Sequence, residues 1–273
     1  MMKDYRSYLL DLDGVVYRGA ALLPGARDFI AWLEATGRDY RYLTNNSMQS
    51  PADVATRLRS LGIPTPEARV VTASQAAVAL FAERWPGQPI WVVGLPSLRQ
   101  MAAAAGLRVL NLTEGAAPDD PDAGPTTARA VLVGLHRSLI YADLQAATRA
   151  VLAGAELWGV NRDPQLPMED GFDPGCGAIL AALEVATGHR ANIVGKPAPA
   201  MLLTTLHAMG ADPATAVMVG DGLAMDIAAG QAAGIDTILL LSGLTDAAQA
   251  AVAVQPPTLI FRDLADLLHS ARG

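Results

Sequence analysis

The chain has 273 residues, of which 51% are hydrophobic and 17% charged. It can therefore bury one or two sizeable cores, while its net charge of −7 argues against binding to a nucleic acid polymer, which needs a basic face. No apolar run is long enough to cross a membrane, and the first residues, MMKDYRSY, lack the apolar stretch of a signal peptide. Cys176 is the sole cysteine, which excludes an internal disulfide framework. We therefore expect a cytoplasmic protein with no membrane partner.

Short apolar runs alternate with helix-like stretches along the chain. The predicted strands are Tyr8–Leu10, Tyr40–Leu43, Val70–Thr72, Ile90–Val93, Ala130–Leu135, Leu157–Val160, Ile193–Val194, Ala216–Val219, Thr237–Leu241 and Thr258–Ile260. The predicted helices are Ala26–Thr36, Ala52–Ser60, Ser74–Arg84, Ser97–Ala105, Tyr141–Ala153, Ala178–Thr187, Ala200–Met209 and Asp226–Ala233. This alternation predicts an α/β fold with mainly parallel sheets, and the number of strands favours two sheets and hence two lobes. A stretch rich in Pro, Gly and Asp, residues 113–128, is expected to be a surface loop.

Polar residues follow several of these strands directly. Asp11 and Asp13 end the first strand, Thr44-Asn45-Asn46-Ser47 ends the second, and Asp221 follows the strand at 216–219, with Asp226 five residues later. Because the carboxyl ends of parallel strands share one crevice, these side chains can converge if their strands belong to one sheet.

Carboxylates that lie close together repel one another, and burying them is costly without a positive partner. A hard divalent cation such as Mg²⁺ removes this repulsion and prefers oxygen ligands. The hydroxyl of Thr44 and the backbone N–H of Asn45 would suit a phosphate, and Lys196, one of only two lysines, would add a compact positive charge from the start of a helix. The residues therefore indicate a metal-assisted site for a phosphate group.

Four motifs occur in a characteristic order: DLDGV at 11–15, TNNS at 44–47, GKP at 195–197 and GDGLAMD at 220–226. Together they resemble the haloacid dehalogenase (HAD) superfamily of aspartyl-phosphate phosphatases. The intervening segment, with NRDP and GFDPGCGAI, is similar to the type-IIA cap of the NagD and p-nitrophenylphosphatase subfamily. The resemblance implies a Rossmann-like parallel-sheet core of residues 1–75 and 192–273, with an inserted α/β cap of residues 76–191 that sets substrate specificity.

The resemblance also implies roles for the core residues. Asp11 would be the nucleophile that forms an aspartyl phosphate, and Asp13 would act first as general acid and then as general base. Thr44 and the N–H of Asn45 would hold phosphoryl oxygens, with Asn46 in the same substrate-binding turn. Lys196 would neutralise the charge of the phosphoryl group.

Magnesium is the cofactor that the resemblance implies. It would be held by Asp11, by the backbone carbonyl of Asp13 and by Asp221, with Asp226 as an outer or water-mediated partner. Gly222 stands where the family often has arginine, a departure that affects the loop on the metal side and not the metal itself.

Substrate contacts from the cap are expected at three polar residues that follow a cap strand, Asn161, Arg162 and Asp163. The expected substrates are small phosphorylated metabolites: sugar phosphates, nucleotides, phosphoglycolate or p-nitrophenyl phosphate. Pyridoxal phosphate is an alternative, which is weakened because Leu166 stands near the place where pyridoxal phosphatase has a histidine. A homodimer formed through the cap remains open.

Simpler structural roles also remain open for several of these residues. The turn at Thr44 could cap the next helix, although Ser50-Pro51 already provides a helix start. Asp226 could be an N-cap or first-turn residue, and residues 161–163 could form a plain turn. Cys176 lacks the arginine six residues on that a cysteine phosphatase needs, so we expect a small residue at a glycine-rich helix start, where Gly175 and Gly177 could let the backbone approach a substrate.

Other functions fit the motifs less well. A dehalogenase uses an aspartate nucleophile without a metal and lacks the second aspartate of the pair. A phospho-aspartate signalling domain is a single small domain, whereas this chain has a second lobe inserted between its motifs. A binding protein without turnover is a further alternative, but no expected catalytic position is lost.

Overall fold

The computed structural model describes residues 3–46, 49–112, 124–168 and 171–272, without the side chains of residues 166–168. Its strands are β1 (Ser7–Leu10), β2 (Tyr17–Arg18), β3 (Ala21–Leu22), β4 (Asp39–Thr44), β5 (Val70–Thr72), β6 (Pro89–Val93), β7 (Arg108–Val109), β8 (Ala130–Val133), β9 (Glu156–Gly159), β10 (Gln165–Met168), β11 (Gly171–Pro174), β12 (Asn192–Ile193), β13 (Ala216–Gly220), β14 (Asp236–Leu240) and β15 (Leu259–Phe261). Its helices are α1 (Ala26–Ala35), α2 (Pro51–Ser60), α3 (Ala73–Arg84), α4 (Pro96–Ala104), α5 (Tyr141–Leu152), α6 (Cys176–Thr187), α7 (Ala200–Met209), α8 (Ala228–Ala232), α9 (Ala247–Ala251) and α10 (Leu264–Arg272).

The chain divides into two compact units. The first consists of Met1–Thr72 and Lys196–Gly273, and the second of Ala73–Gly195. These boundaries lie a few residues from those implied by the family resemblance, 75/76 and 191/192.

The first unit is built on a six-stranded parallel sheet with the strand order β15-β14-β13-β1-β4-β5. The central strand β1 is buried at all four positions, which explains its continuous apolar run, because both faces of such a sheet are covered. On one face, Tyr8 packs edge-on against Phe29 and Trp32 of α1. The carboxyl ends of β13, β1 and β4 are therefore neighbours on one edge of the sheet.

The second unit contains a five-stranded parallel sheet with the order β12-β9-β8-β6-β7. Its core joins Val131 and Val133 of β8 to Leu180 and Leu183 of α6. Strand β12 pairs with β9 of this sheet, so the short strand before Lys196 does not belong to the sheet that carries Asp11. Two parallel sheets in two units confirm the expected α/β class.

Two antiparallel hairpins supplement the parallel sheets: β2–β3 in the first unit and β10–β11 in the second. Of the expected surface loop at residues 113–128, residues 113–123 lie outside the described part, and Pro125–Thr127 forms a 3₁₀ turn. Among the described residues, no helix is both long enough and apolar enough to cross a membrane.

Candidate active site

Three carboxylates meet at the carboxyl edge of the first unit's sheet. Asp11 follows β1, Asp221 follows the neighbouring strand β13, and Asp226 comes from the turn after β13. One oxygen from each lies within 4.8 Å of the other two. Asp221 and Asp226 are almost completely buried, at 3% and 2% exposure. Clustered hard oxygen ligands of this kind suit a divalent cation.

The ammonium of Lys196 lies among these carboxylates. Its Nζ donates to Oδ1 of Asp11 at 2.5 Å and to Oδ1 of Asp226 at 2.6 Å, and it lies 3.5 Å from the carbonyl oxygen of Leu43. Burial alone would disfavour the charged ammonium, but the two carboxylates prevail and raise the pKa of Lys196 above its usual value. Lys196 is therefore a fixed positive charge at this point.

Burial also shifts the pKa values of the carboxyl groups. It raises the pKa of Asp11 to about 7, against the opposing charge of Lys196 and with the nearby carboxylate of Asp226 adding to the rise. Burial likewise raises the pKa of Asp221, although the backbone N–H of Leu244 opposes that shift. The charge of one ammonium does not fully compensate three carboxylates, so the site can accept further positive charge.

Asp226 is held by the turn that surrounds it. Its Oδ2 accepts the N–H of Gly222 at 3.1 Å, and a Cβ at Gly220 would lie 2.1 Å from its own Cβ, so only glycine fits at 220. Helix α8 begins at Ala228 with Ile227 as its N-cap, so Asp226 is not the N-cap; it is a first-turn residue of the π-helical segment Leu223–Ile227 that precedes α8. Its side chain also accepts the hydrogen bond from Lys196.

Asp13 lies two residues beyond Asp11, and its side chain reaches the solvent while neighbouring atoms cover part of it. Partial burial raises the pKa of its carboxyl, with the positive charges of Arg57 and Lys196 opposing the shift. Its carboxylate is outside the cluster formed by the three other aspartates in the described residues. The acid and base roles expected of Asp13, and the metal contact expected of its backbone carbonyl, both stay predictions.

The turn after β4 has an unexpected function in the structure. The side chain of Asn45 brackets the backbone of Lys196: Nδ2 donates to the Lys196 carbonyl at 2.8 Å, and Oδ1 accepts the Lys196 N–H at 2.9 Å. The Oγ1 of Thr44 accepts the N–H of Asn46 at 3.1 Å. Helix α2 is capped by Ser50, so the turn at Thr44 is not its cap; Ser47 lies outside the described residues.

The polar segment 161–163 lies after β9 in the second unit. Asn161 is buried, and its Oδ1 accepts the N–H of Asp163 at 3.3 Å. The guanidinium of Arg162 forms a bidentate pair with Glu184, at 3.0 and 2.8 Å, and also donates to the carbonyl of Ala191. The guanidinium is thus tied to α6, a contact that the sequence pattern did not predict.

Gly175 and Gly177 stand at the start of α6, where a larger residue would collide with the backbone of segment 161–163. A Cβ at Gly175 would lie 2.2 Å from the Asp163 carbonyl oxygen, and one at Gly177 would lie 2.4 Å from that of Arg162. These glycines therefore let α6 approach the segment 161–163. Between them, Cys176 is buried and begins the helix, and burial raises the pKa of its thiol to about 12, so it is not a reactive nucleophile.

Some site residues could not be found from sequence patterns. The bracket that Asn45 forms around Lys196 joins positions 151 apart in the chain. Gly243 and Leu244 lie against Asp221 from a loop after β14, and neither belongs to one of the four motifs. Their contacts exist only once the strands are assembled.

Comparisons with known proteins agree with this architecture. The family model of haloacid dehalogenase-like hydrolases matches residues 8–108, and a HAD-hydrolase-like model matches residues 193–267. An acid sugar phosphatase from Staphylococcus saprophyticus is 35% identical over 267 residues, which is 98% of each chain.

Solved structures are similar over both units. A single mutant of a thermostable NPPase from Geobacillus stearothermophilus has a TM-score of 0.85 at 34% identity, covering 97% of this chain and 98% of that one. A p-nitrophenyl phosphatase from Archaeoglobus fulgidus has a TM-score of 0.84 at 28% identity, covering 98% and 100%.

Proposed function

This chain is a member of the haloacid dehalogenase-like hydrolase family, and we propose that it is a Mg²⁺-dependent phosphatase that hydrolyses phosphomonoesters of small metabolites through an aspartyl phosphate. The observation that carries the proposal is the contact of Lys196 with both Asp11 and Asp226, beside Asp221. A nucleophilic carboxylate, a fixed cation and further hard oxygen ligands at one point are what phosphoryl transfer needs.

The donor set fits a magnesium ion. Asp11 and Asp221 would hold it, together with the backbone carbonyl of Asp13. Both oxygens of Asp226 already accept protein hydrogen bonds, from Lys196 and Gly222, so we place Asp226 outside the direct ligands. When bound, the cation supplies charge neutralisation for the carboxylates and the phosphoryl oxygens.

Asp11 attacks the phosphorus atom, forming an O–P bond while the bond to the ester oxygen breaks. Asp13 donates its proton to that leaving oxygen and so becomes the base for the second step. It then takes a proton from a water molecule, which attacks the phosphorus and releases inorganic phosphate and Asp11. The Thr44 hydroxyl and the Asn45 N–H hold phosphoryl oxygens, and Lys196 neutralises their charge throughout.

We assign substrate selection to the second unit as a cap. Asn161 and Asp163 are the residues that we propose for contact with the substrate. Because the guanidinium of Arg162 is paired with Glu184, we propose that Arg162 stabilises the conformation of segment 161–163. Asn46 stays a proposed substrate contact in the phosphate-binding turn.

The relatives' names point first to sugar phosphates as substrates, with p-nitrophenyl phosphate as a convenient reporter. Nucleotides and phosphoglycolate are proposed as further substrates, because they are also small phosphomonoesters. We further propose a cytoplasmic location; a monomer and a dimer formed through the cap are both compatible with the proposed reaction.

The test is turnover of p-nitrophenyl phosphate and of a panel of phosphorylated metabolites, with Mg²⁺ or with EDTA. We expect turnover only with Mg²⁺, sugar phosphates at the top of the ranking, and no activity in Asp11→Asn. Asp28→Asn, the same change at an exposed position of α1, is the matched control and should be fully active.

Several results would contradict the proposal in different ways. Full activity in EDTA would show that the reaction needs no metal, and full activity in Asp11→Asn would show that Asp11 is not the nucleophile. A ranking led by pyridoxal phosphate would replace sugar phosphates by pyridoxal phosphate as the proposed substrate. Phosphorylation of Asp11 without turnover would indicate a phospho-aspartate signalling protein.

A further inference from the structure

The carboxylate of Asp221 packs against two glycines that come from distant parts of the chain. A Cβ at Gly243 would lie 1.7 Å from its Oδ2, and a Cβ at Gly14 would lie 2.1 Å from the same oxygen. No other residue type can stand at either position without moving the carboxylate. The backbone of Gly14 and that of Gly243 therefore both lie directly against Oδ2 of Asp221.

Hydrogen bonds from the residues after Gly243 also hold Asp221. The N–H of Leu244 donates to Oδ2 of Asp221 at 2.7 Å, and the N–H of Thr245 donates to the Asp221 carbonyl at 3.2 Å. Thr245 also accepts the N–H of Leu223 through its hydroxyl, at 3.3 Å. Segment 242–245 thus holds both the side chain and the backbone of Asp221.

The segment is in turn tied to the turn that follows Asp13. The hydroxyl of Ser242 donates to the Gly14 carbonyl at 2.8 Å. The guanidinium of Arg18, on strand β2, donates to the Ser242 carbonyl and lies 3.4 Å from the carbonyl oxygen of Gly243. The two backbone segments that pack against Asp221 are therefore linked directly to each other.

We propose that segment 242–245 is a clamp that orients the Asp221 carboxylate toward a divalent cation. With Oδ2 engaged by Leu244, Oδ1 is the oxygen that we assign to the cation. Outer-shell hydrogen bonds that fix a ligand carboxylate in this way strengthen metal binding, because the ligand loses no further freedom when the ion arrives. This inference rests on the proposed function, since it takes the magnesium site from it.

The test measures Mg²⁺ affinity by isothermal titration calorimetry on the full chain. In Gly243→Ala the added methyl must displace the carboxylate, and the backbone there lies outside the left-handed region, so the substitution itself causes no backbone strain. We expect Mg²⁺ binding to weaken about 10- to 100-fold, the usual range for a disturbed outer shell. Ser242→Ala, which removes the link to Gly14, should weaken it by a smaller factor.

Two controls carry the same chemical changes elsewhere. Gly124→Ala adds a methyl where the nearest atom is 4.0 Å away, and Ser270→Ala removes an exposed hydroxyl. Both should bind Mg²⁺ as the unaltered chain does. The melting temperature in EDTA should be nearly unchanged in Ser242→Ala, and excess Mg²⁺ should restore its turnover, which a purely structural defect would not allow.

The outcomes separate the two proposals. If the unaltered chain binds Mg²⁺ and both clamp variants bind it equally well, the clamp is overturned and the proposed function stands. If the unaltered chain binds no Mg²⁺, the metal assignment of the proposed function fails and the clamp fails with it. Should Gly243→Ala not fold, Ser242→Ala alone decides the matter.

Discussion

The ammonium of Lys196 lies 2.6 Å from Oδ1 of Asp226, and both side chains are almost completely buried. The same ammonium contacts Asp11 at 2.5 Å. One cation thus serves two carboxylates in a setting where an unpaired charge is costly. This shared pairing gives one of the two lysines of the chain a definite structural role.

Replacing Lys196 by methionine should impair both catalysis and stability. Without the ammonium, Asp11 and Asp226 remain buried without their partner, so the metal-free protein should lose about 3 kcal/mol of unfolding free energy or more. The specificity constant should fall about 100-fold or more, because charge stabilisation of the phosphoryl group is lost. Denaturant titrations in EDTA and steady-state kinetics measure these two effects.

Lys3→Met is the matched control for that variant. Lys3 pairs with Asp236 at 2.7 Å on an exposed surface, so its loss should cost less than about 1 kcal/mol and leave turnover unchanged. Equal effects of the two substitutions would contradict the account of Lys196.

The bracket around Lys196 gives a second prediction. Asn45→Ala removes two hydrogen bonds to the Lys196 backbone, which should let the ammonium move from its place. We expect kcat to fall about 10-fold or more, a loss equivalent to one or two hydrogen bonds. Steady-state kinetics at saturating substrate measure this change.

Asn111 provides a closely matched control, because its side chain brackets the backbone of Val92 in the second unit by the same two hydrogen bonds, at 3.0 and 2.8 Å. Asn111→Ala should therefore lower stability to a similar degree while kcat stays near that of the unaltered chain. A similar loss of kcat in both variants would show that the effect of Asn45 is general destabilisation.

The parallel sheets could be predicted because their strands carry continuous apolar runs, as β1 does. The hairpins β2–β3 and β10–β11 could not, since strands of two to four residues without alternating patterns leave no periodic signal. The π turn Leu223–Ile227 delays the start of α8 to Ala228, whereas the sequence predicts a helix from Asp226. In that turn Asp226 accepts a local hydrogen bond from the N–H of Gly222 and a distant one from Lys196, and the distant contact leaves no signal in the local sequence.

The candidate site could be predicted in its principal residues, because Asp11, Thr44 and Asp221 each follow or end a strand of one sheet. Lys196 differs, since the strand before it pairs within the second unit's sheet. Its position depends on the bracket from Asn45 and on its carboxylate partners, all distant in the chain. Contacts of this kind follow from the assembled fold and not from spacing.

The pair of Arg162 and Glu184 should make stability depend on pH in the acid range. Hydrogen bonds from Arg162 hold the pKa of Glu184 at about 2, below its value in an unfolded chain. The contribution is therefore present above pH about 4.5 and is lost as the pH falls toward about 2. Because Arg162 is partly exposed, we expect about 1 kcal/mol at neutral pH.

Denaturant unfolding of the unaltered chain and of Glu184→Gln measures this contribution. The stability advantage of the unaltered chain should be present near neutral pH and should shrink steadily in the acid range. Arg162→Met should show the same loss while its KM for p-nitrophenyl phosphate changes little. A large rise in KM without a loss of stability would return Arg162 to the substrate-binding residues.

The most direct measurement of the central claim is the detection of phosphate on Asp11. Acid quenching of the enzyme during turnover of a phosphomonoester with Mg²⁺, followed by proteolysis and mass spectrometry, locates any acyl phosphate. With p-nitrophenyl phosphate, whose leaving group needs no proton from Asp13, we expect Asp13→Asn still to form the aspartyl phosphate. Because this variant lacks the base for the second step, the peptide phosphorylated on Asp11 should accumulate. Turnover that proceeds with no phosphate on Asp11 in either the unaltered chain or this variant would contradict the account.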